Sequence, residues 1–175
     1  MAEIHRTERL ELRPLQIEFA AALLPIWQDE NVVRYTYISG VTDRENAEKR
    51  IQQMRETAAQ NRAVFYAIFR GEALIGLVGA TRQSAFEYAI FYHLGAPYWG
   101  QGYATEAAQA LIDDLFRDPA VTRISADAVT VNGASMRVLE KLGMTREGCQ
   151  RQKFRRDNTD YDLYLYSLLR EEYRP

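Results

Sequence analysis

Cysteine is nearly absent from the chain. Cys149 is the only one among 175 residues, so no disulfide can form within it. Histidine is scarce as well: His5 and His93 lie far apart, and with one thiol they make neither a CxxC pair nor a Cys/His zinc set. No apolar run approaches the roughly 20 residues of a membrane span. The charged N-terminus does not resemble a signal peptide, so the expected setting is cytoplasmic. A formal net charge of −2 leaves no basic field to attract nucleic acid. Internal repeats and low-complexity linkers are missing, which predicts a single domain over residues 1–175, long enough to bury a core. Two phosphate-binding signatures are absent too. There is no G-x-x-x-x-G-K-[ST], and no G-x-G-x-x-G after a first strand.

What is present centres on Tyr98–Phe116. An extended apolar run, Tyr88–Leu94, leads into Gly95-Ala96-Pro97, where Pro97 disfavours helical continuation. Gly100 and Gly102 flank Gln101, and apolar residues then recur at Ala104, Ala107, Ala108, Leu111, Ile112 and Leu115. That spacing predicts an amphipathic helix, so the stretch reads as strand, glycine turn, helix. Glycines permit positive φ and close approach of a ligand. The first helical N–H groups lack acceptors, and the macrodipole favours an anion there. The turn is therefore either a phosphate site or a tight connection with glycines for geometry alone.

The remaining elements follow from period and punctuation. Glu8–Leu15 predicts a first strand, and Glu18–Gln28 a helix that Pro25 kinks or splits. Asn31–Val41 is irregular and aromatic, with Tyr35 and Tyr37. Thr42 or Asp43 then caps a helix over Arg44–Gln60. Ala63–Phe69 and Ala73–Ala80, joined by Arg70-Gly71-Glu72, predict a hairpin, and Gln83–Leu94 the next strand. Arg123–Val131 predicts a strand, Ala134–Leu142 a helix stopped by Gly143, and Tyr161–Leu169 a closing strand. Cys149–Arg156 reads as a polar, basic stretch and Asp157-Asn158 as a turn. The order implies an α/β fold, a sheet with helices on both faces.

Trp99-Gly100-Gln101-Gly102-Tyr103-Ala104-Thr105-Glu106-Ala107 resembles the acetyl-CoA pyrophosphate loop of the GNAT N-acetyltransferases, with Gly102 and Ala104 at its small positions and Trp99 where many members carry Gln or Arg. Asn132-Gly133-Ala134-Ser135, followed by Glu140-Lys141-Leu142-Gly143-Met144, resembles the family's second motif, with Met144 for Phe. Thr7–Leu15 is similar to the opening of the ribosomal-protein alanine N-acetyltransferase branch. The resemblance implies the GNAT fold, with a mixed, mostly antiparallel central sheet. It implies acetyl-CoA as cosubstrate, bound by Gly100, Gln101, Gly102, Tyr103, Ala104, Thr105 and Asn132, with a main-chain amide near His93–Leu94 polarising the carbonyl. It implies direct attack by a primary amine in a ternary complex, the acceptor being a protein N-terminus or a small molecule. Whether the chain pairs as a homodimer stays open.

Acyl transfer to an amine needs a proton acceptor and a group to meet the departing thiolate. Ser135 stands where the branch has a serine in the second role. Glu87, on the strand entering the loop, is the first choice of base, and His93, on the same strand face, the second. The alternative from another class is a non-catalytic acyl-CoA-binding module, and a third reading is a loop for some other nucleotide.

Overall fold

The computed structural model describes residues 3–174. Eight strands form one sheet: β1 (His5–Arg6), β2 (Glu11–Pro14), β3 (Ala63–Arg70), β4 (Ala73–Arg82), β5 (Glu87–Leu94), β6 (Arg123–Val129), β7 (Thr145–Arg156) and β8 (Thr159–Leu169). Their order is β1-β2-β3-β4-β5-β6-β8-β7. Among the described residues only β5 and β6 run parallel; the other neighbours are antiparallel.

Five α-helices cover the two faces: α1 (Ala20–Gln28), α2 (Glu30–Val33), α3 (Arg44–Ala59), α4 (Tyr103–Leu115) and α5 (Gly133–Lys141). Strand alternation sorts the core between them. Tyr66 and Ile68 of β3 point to the face of α4 and α5, where Ala107, Ala108, Leu111, Ile112 and Leu139 meet them. Ala67 and Phe69 point the other way, onto Leu23, Trp27, Ala47 and Ile51 of α1 and α3. A small third cluster, Val129, Phe154 and Leu163, lies under Tyr35 and Tyr161.

Local chemistry sets the boundaries. The Asp43 carboxylate accepts from the Asn46 amide and caps α3. Asp157 and Asn158, both at positive φ, turn β7 into β8, as a tight hairpin requires. Three expectations change. Within Glu8–Leu15 only Glu11–Pro14 is strand, because Thr7 turns back on Leu10 (Thr7 N to Leu10 O, 3.0 Å), and the chain before that turn adds β1. Pro25 does not split its helix; a 3₁₀ turn at Ile17–Phe19 leads into α1, which continues through it. Thr145–Arg156 is a twelve-residue edge strand, exposed on both sides as far as Lys153 and with Phe154 alone buried, and so without an apolar period to betray it.

Candidate functional site

The site begins where the sheet comes apart. β5 and β6 are paired only from Glu87 to Ala89 and from Arg123 to Ser125. Beyond that β5 runs on to Leu94 and β6 to Val129 with no ladder between them. Gly95 donates to Ile75 in β4, which assigns the odd-numbered residues of β5 to that neighbour. By alternation Tyr92 and Leu94 turn their main-chain groups toward the gap. The Leu94 carbonyl accepts from the Trp99 indole at 2.8 Å, and its amide stays available.

The glycine turn closes one end of this gap. Gly100 and Gly102 have φ of 72° and 84°, left-handed values that residues bearing a Cβ rarely adopt. With both so bent, the chain aims its amides outward. Among the described residues, the N–H groups of Gly100, Gln101, Gly102, Tyr103, Ala104 and Thr105 find no acceptor. Six consecutive open donors at the start of a thirteen-residue helix are the arrangement that suits a large anion, which a connection serving geometry alone does not need.

On the α4/α5 face of the gap stand Ser135 and Tyr92. Asn132 caps α5, its Oδ1 accepting from the Ser135 amide at 3.2 Å, while its side-chain nitrogen has no partner among the described residues. The phenol of Tyr92 reaches across from β5 and lies 3.0 Å from Ser135 Oγ and 3.2 Å from the Ser135 carbonyl. Burial pushes that phenol up to about 12, so Tyr92 remains a neutral hydrogen-bonding group.

The opposite face holds a carboxylate that sequence reasoning missed. Asp127 sits on β6 two residues past Ser125, the last paired position. Asp127 is exposed to water at its surface, while partial burial of its carboxyl raises its pKa. No hydrogen bond or ion pair holds it among the described residues. Tyr37 is its neighbour; burial first, and then the Asp127 charge, raise that phenol as well. The available signal was one acid in an otherwise small and apolar strand, Ile124-Ser125-Ala126-Asp127-Ala128-Val129. The aromatic stretch Asn31–Val41 and the β7–β8 hairpin meet beside Asp127. Tyr37 packs edge-on against Phe154 (centroids 5.3 Å apart), and Arg156 Nη2 donates to the Val33 and Ile38 carbonyls at 2.7 and 2.9 Å.

Two base candidates do not survive. Glu87 is at the paired end of β5, six residues or roughly 20 Å from His93. Its carboxylate is 3.3 Å from Arg123 Nε, and Arg123 also holds Glu147 at 2.9 Å. It belongs to an ion-pair network away from the gap. The His93 side chain is buried, and its Nε2 receives the Trp27 indole N–H at 2.8 Å. An indole only donates, so His93 is neutral with its proton on Nδ1, and neither nitrogen is free to take another. Burial, reinforced by Arg50, lowers its pKa to about 3.

The chain has clear relatives among known proteins. The family model for the acetyltransferase (GNAT) domain matches residues 9–145. The chain is 34% identical over 171 residues to an uncharacterized N-acetyltransferase, p20, of Bacillus licheniformis, covering 95% of this chain and 96% of that protein. Among solved structures it is similar to a GNAT-family acetyltransferase from Bacillus anthracis, with 27% identity, a TM-score of 0.84, and 97% and 100% of the two chains covered. It also shares its fold with RimL, the ribosomal L7/L12 alpha-N-protein acetyltransferase, in complex with coenzyme A. There the identity is 23%, the TM-score 0.89 and the coverage 95% and 98%.

Proposed function

The chain belongs to the GNAT acetyltransferase family and is an acetyl-CoA-dependent N-acetyltransferase, and from that premise we infer which of its residues carry the transfer to a primary amine. The observation behind this reading is the parting of β5 from β6 beside six open loop amides.

The amides of Gly100–Thr105 would hold the diphosphate of the cosubstrate, and the Asn132 side-chain nitrogen and the edge of β5 its pantetheine arm. Acetyl-CoA supplies an activated acetyl thioester. The Leu94 amide, aimed into the gap, donates to the carbonyl oxygen on which charge develops. Asp127, on the acceptor side, takes the proton that the attacking amine must lose, directly or through water; a raised pKa makes its carboxylate a stronger base. Ser135 Oγ, on the cosubstrate side, donates to the departing sulfur, and Tyr92 acts through Ser135 by fixing that hydroxyl. Base and donor thus stand on opposite faces of one opening, as attack on one side of a carbonyl and departure from the other requires.

The acceptor, a protein N-terminus or a small amine, would enter between Tyr37, Asp127 and Phe154. A single exposed thiol, Cys149, suits a reducing compartment and supports a cytoplasmic setting. No helix among the described residues is long and apolar enough to cross a membrane.

Thermal unfolding with acetyl-CoA, CoA and ATP tests the cosubstrate site. At about a hundred times its dissociation constant a ligand adds roughly 2.7 kcal/mol, a rise of a few degrees for a chain of this size. The expected result is a rise with both CoA species and none with ATP. Equal effects of all three, or none, would overturn the loop assignment. Binding without turnover across a broad panel of amines and peptides would favour the acyl-CoA-binding module.

A further inference from the structure

The opening motif, Thr7–Leu15, has no part in the reading above, yet it touches the cosubstrate loop more closely than any other distant segment. The turn between β1 and β2 is fixed from within: Leu10 N donates to Thr7 Oγ1 at 3.0 Å. From that turn four polar contacts converge on Glu106 in the first turn of α4, and a fifth reaches the glycine turn before it. Thr7 Oγ1 donates to Glu106 Oε1 at 2.6 Å, and the Arg9 main-chain N–H to the same oxygen at 2.9 Å. Arg9 Nε and Nη2 grip Glu106 Oε2 at 2.7 and 2.6 Å. Arg9 Nη1 donates to the Gln101 carbonyl at 3.0 Å, inside the glycine turn itself. The guanidinium also lies over the Tyr103 ring, 4.6 Å from its centroid.

We propose that the Thr7–Arg9 turn is a clamp that sets the diphosphate loop in its amide-out form before the cosubstrate arrives. Two physical facts support this. First, Gly100 and Gly102 lose more backbone freedom than any other residue type on being fixed, and an unclamped loop would incur that loss at the moment of binding. Holding Gln101 by its carbonyl and Tyr103 by its ring fixes the chain on both sides of Gly102. Second, Glu106 favours the start of a helix but repels a diphosphate placed there. Burial works against its charge, yet the Thr7 hydroxyl, the Arg9 amide and the guanidinium together keep it ionised, its pKa below 4.5. Arg9 cancels that charge. With its donors committed to Glu106 and Gln101, Arg9 is a positioning residue and not a phosphate ligand.

The proposal rests on the loop taking the diphosphate, and the test separates the two. CoA is titrated calorimetrically into the full chain and into Arg9→Ala, Arg9→Lys, Glu106→Gln and the double variant Arg9→Ala/Glu106→Gln. Arg9→Ala should weaken CoA binding on the order of tenfold or more, because it frees the loop and leaves Glu106 uncompensated. The double variant should bind CoA better than Arg9→Ala, and Arg9→Lys, which keeps charge but not the fork, should fall between wild type and Arg9→Ala. With acetyl-CoA the KM should rise more than kcat falls. In the free protein, ¹⁵N order parameters for Gly100–Ala104 should drop in Arg9→Ala. Wild-type affinity in a folded Arg9→Ala, or unchanged order parameters, would overturn the clamp while leaving the loop assignment intact. Should Arg9→Ala fail to fold, Arg9→Lys and Glu106→Gln decide the matter by the same readouts. A wild-type chain that does not bind CoA would remove the loop assignment itself, and the clamp with it.

Discussion

Trp27 can only donate, and that one constraint fixes the chemistry of His93. A neutral imidazole with a pKa near 3 does not titrate where histidine usually does. Its ¹⁵N shifts should therefore stay constant between pH 5 and 8, whatever His5 does. The same depression sets a stability window. An unfolded histidine gains a proton below about 6.5, whereas the folded one resists down to about 3. Stability is thus complete above pH 6.5 and falls progressively as the pH drops toward 3, and Trp27→Phe should alter the slope in that window. Asp127 works in the other direction, since burial raises its pKa from the ordinary 3.8. If it is the base, activity rises with pH through that raised value, and Asp127→Asn should erase the acidic limb of the pH–rate profile. Glu87→Gln should leave the limb in place. Ser135→Ala should lower kcat on the order of 10²-fold with little change in CoA affinity. Asn132 and Ser135 follow a known pattern in order and spacing, and the helix cap between them is the part of it that the structure displays. Glu87 and His93 were placed on one face correctly, but which partner each finds is a tertiary fact. Arg123 comes from the next strand and Trp27 from 66 residues away.

At the scale of elements, local signals carried far. The glycine turn, the long period of α4 and the hairpin at Gly71 all stand where turn chemistry and periodicity put them. Edges were harder to read. β7 is polar on both sides, and the Thr7 turn depends on contacts with Glu106 that no window of sequence contains. Gly76 shows how a sheet can demand one residue type without any turn: a Cβ there would meet the His93 carbonyl at 2.3 Å. Gly76→Ala should therefore cost about 1–3 kcal/mol, read as a lower denaturant midpoint at an unchanged slope. Because the strain falls on the strand that ends in Leu94, this variant should lose activity beyond its loss of stability.

Across the whole molecule, the two cores are not separate bodies. β3, β4 and β5 present alternate residues to α1 and α3 on one side and to α4 on the other, so neither layer can open without exposing the other. Calorimetry should show one transition, with an enthalpy of roughly 120 kcal/mol for a chain of this length and equal calorimetric and van't Hoff values. The seam between β5 and β6 is where this cooperativity is thinnest, because main-chain groups there lack a neighbour. A bound cosubstrate arm would span that seam as a missing strand does. The lifetime of the protein should then follow the supply of its own substrate. In a proteolysis assay, cleavage should slow as CoA is added, by more than any added salt or nucleotide achieves. A cell short of acetyl-CoA would hold less of this enzyme as well as a slower one.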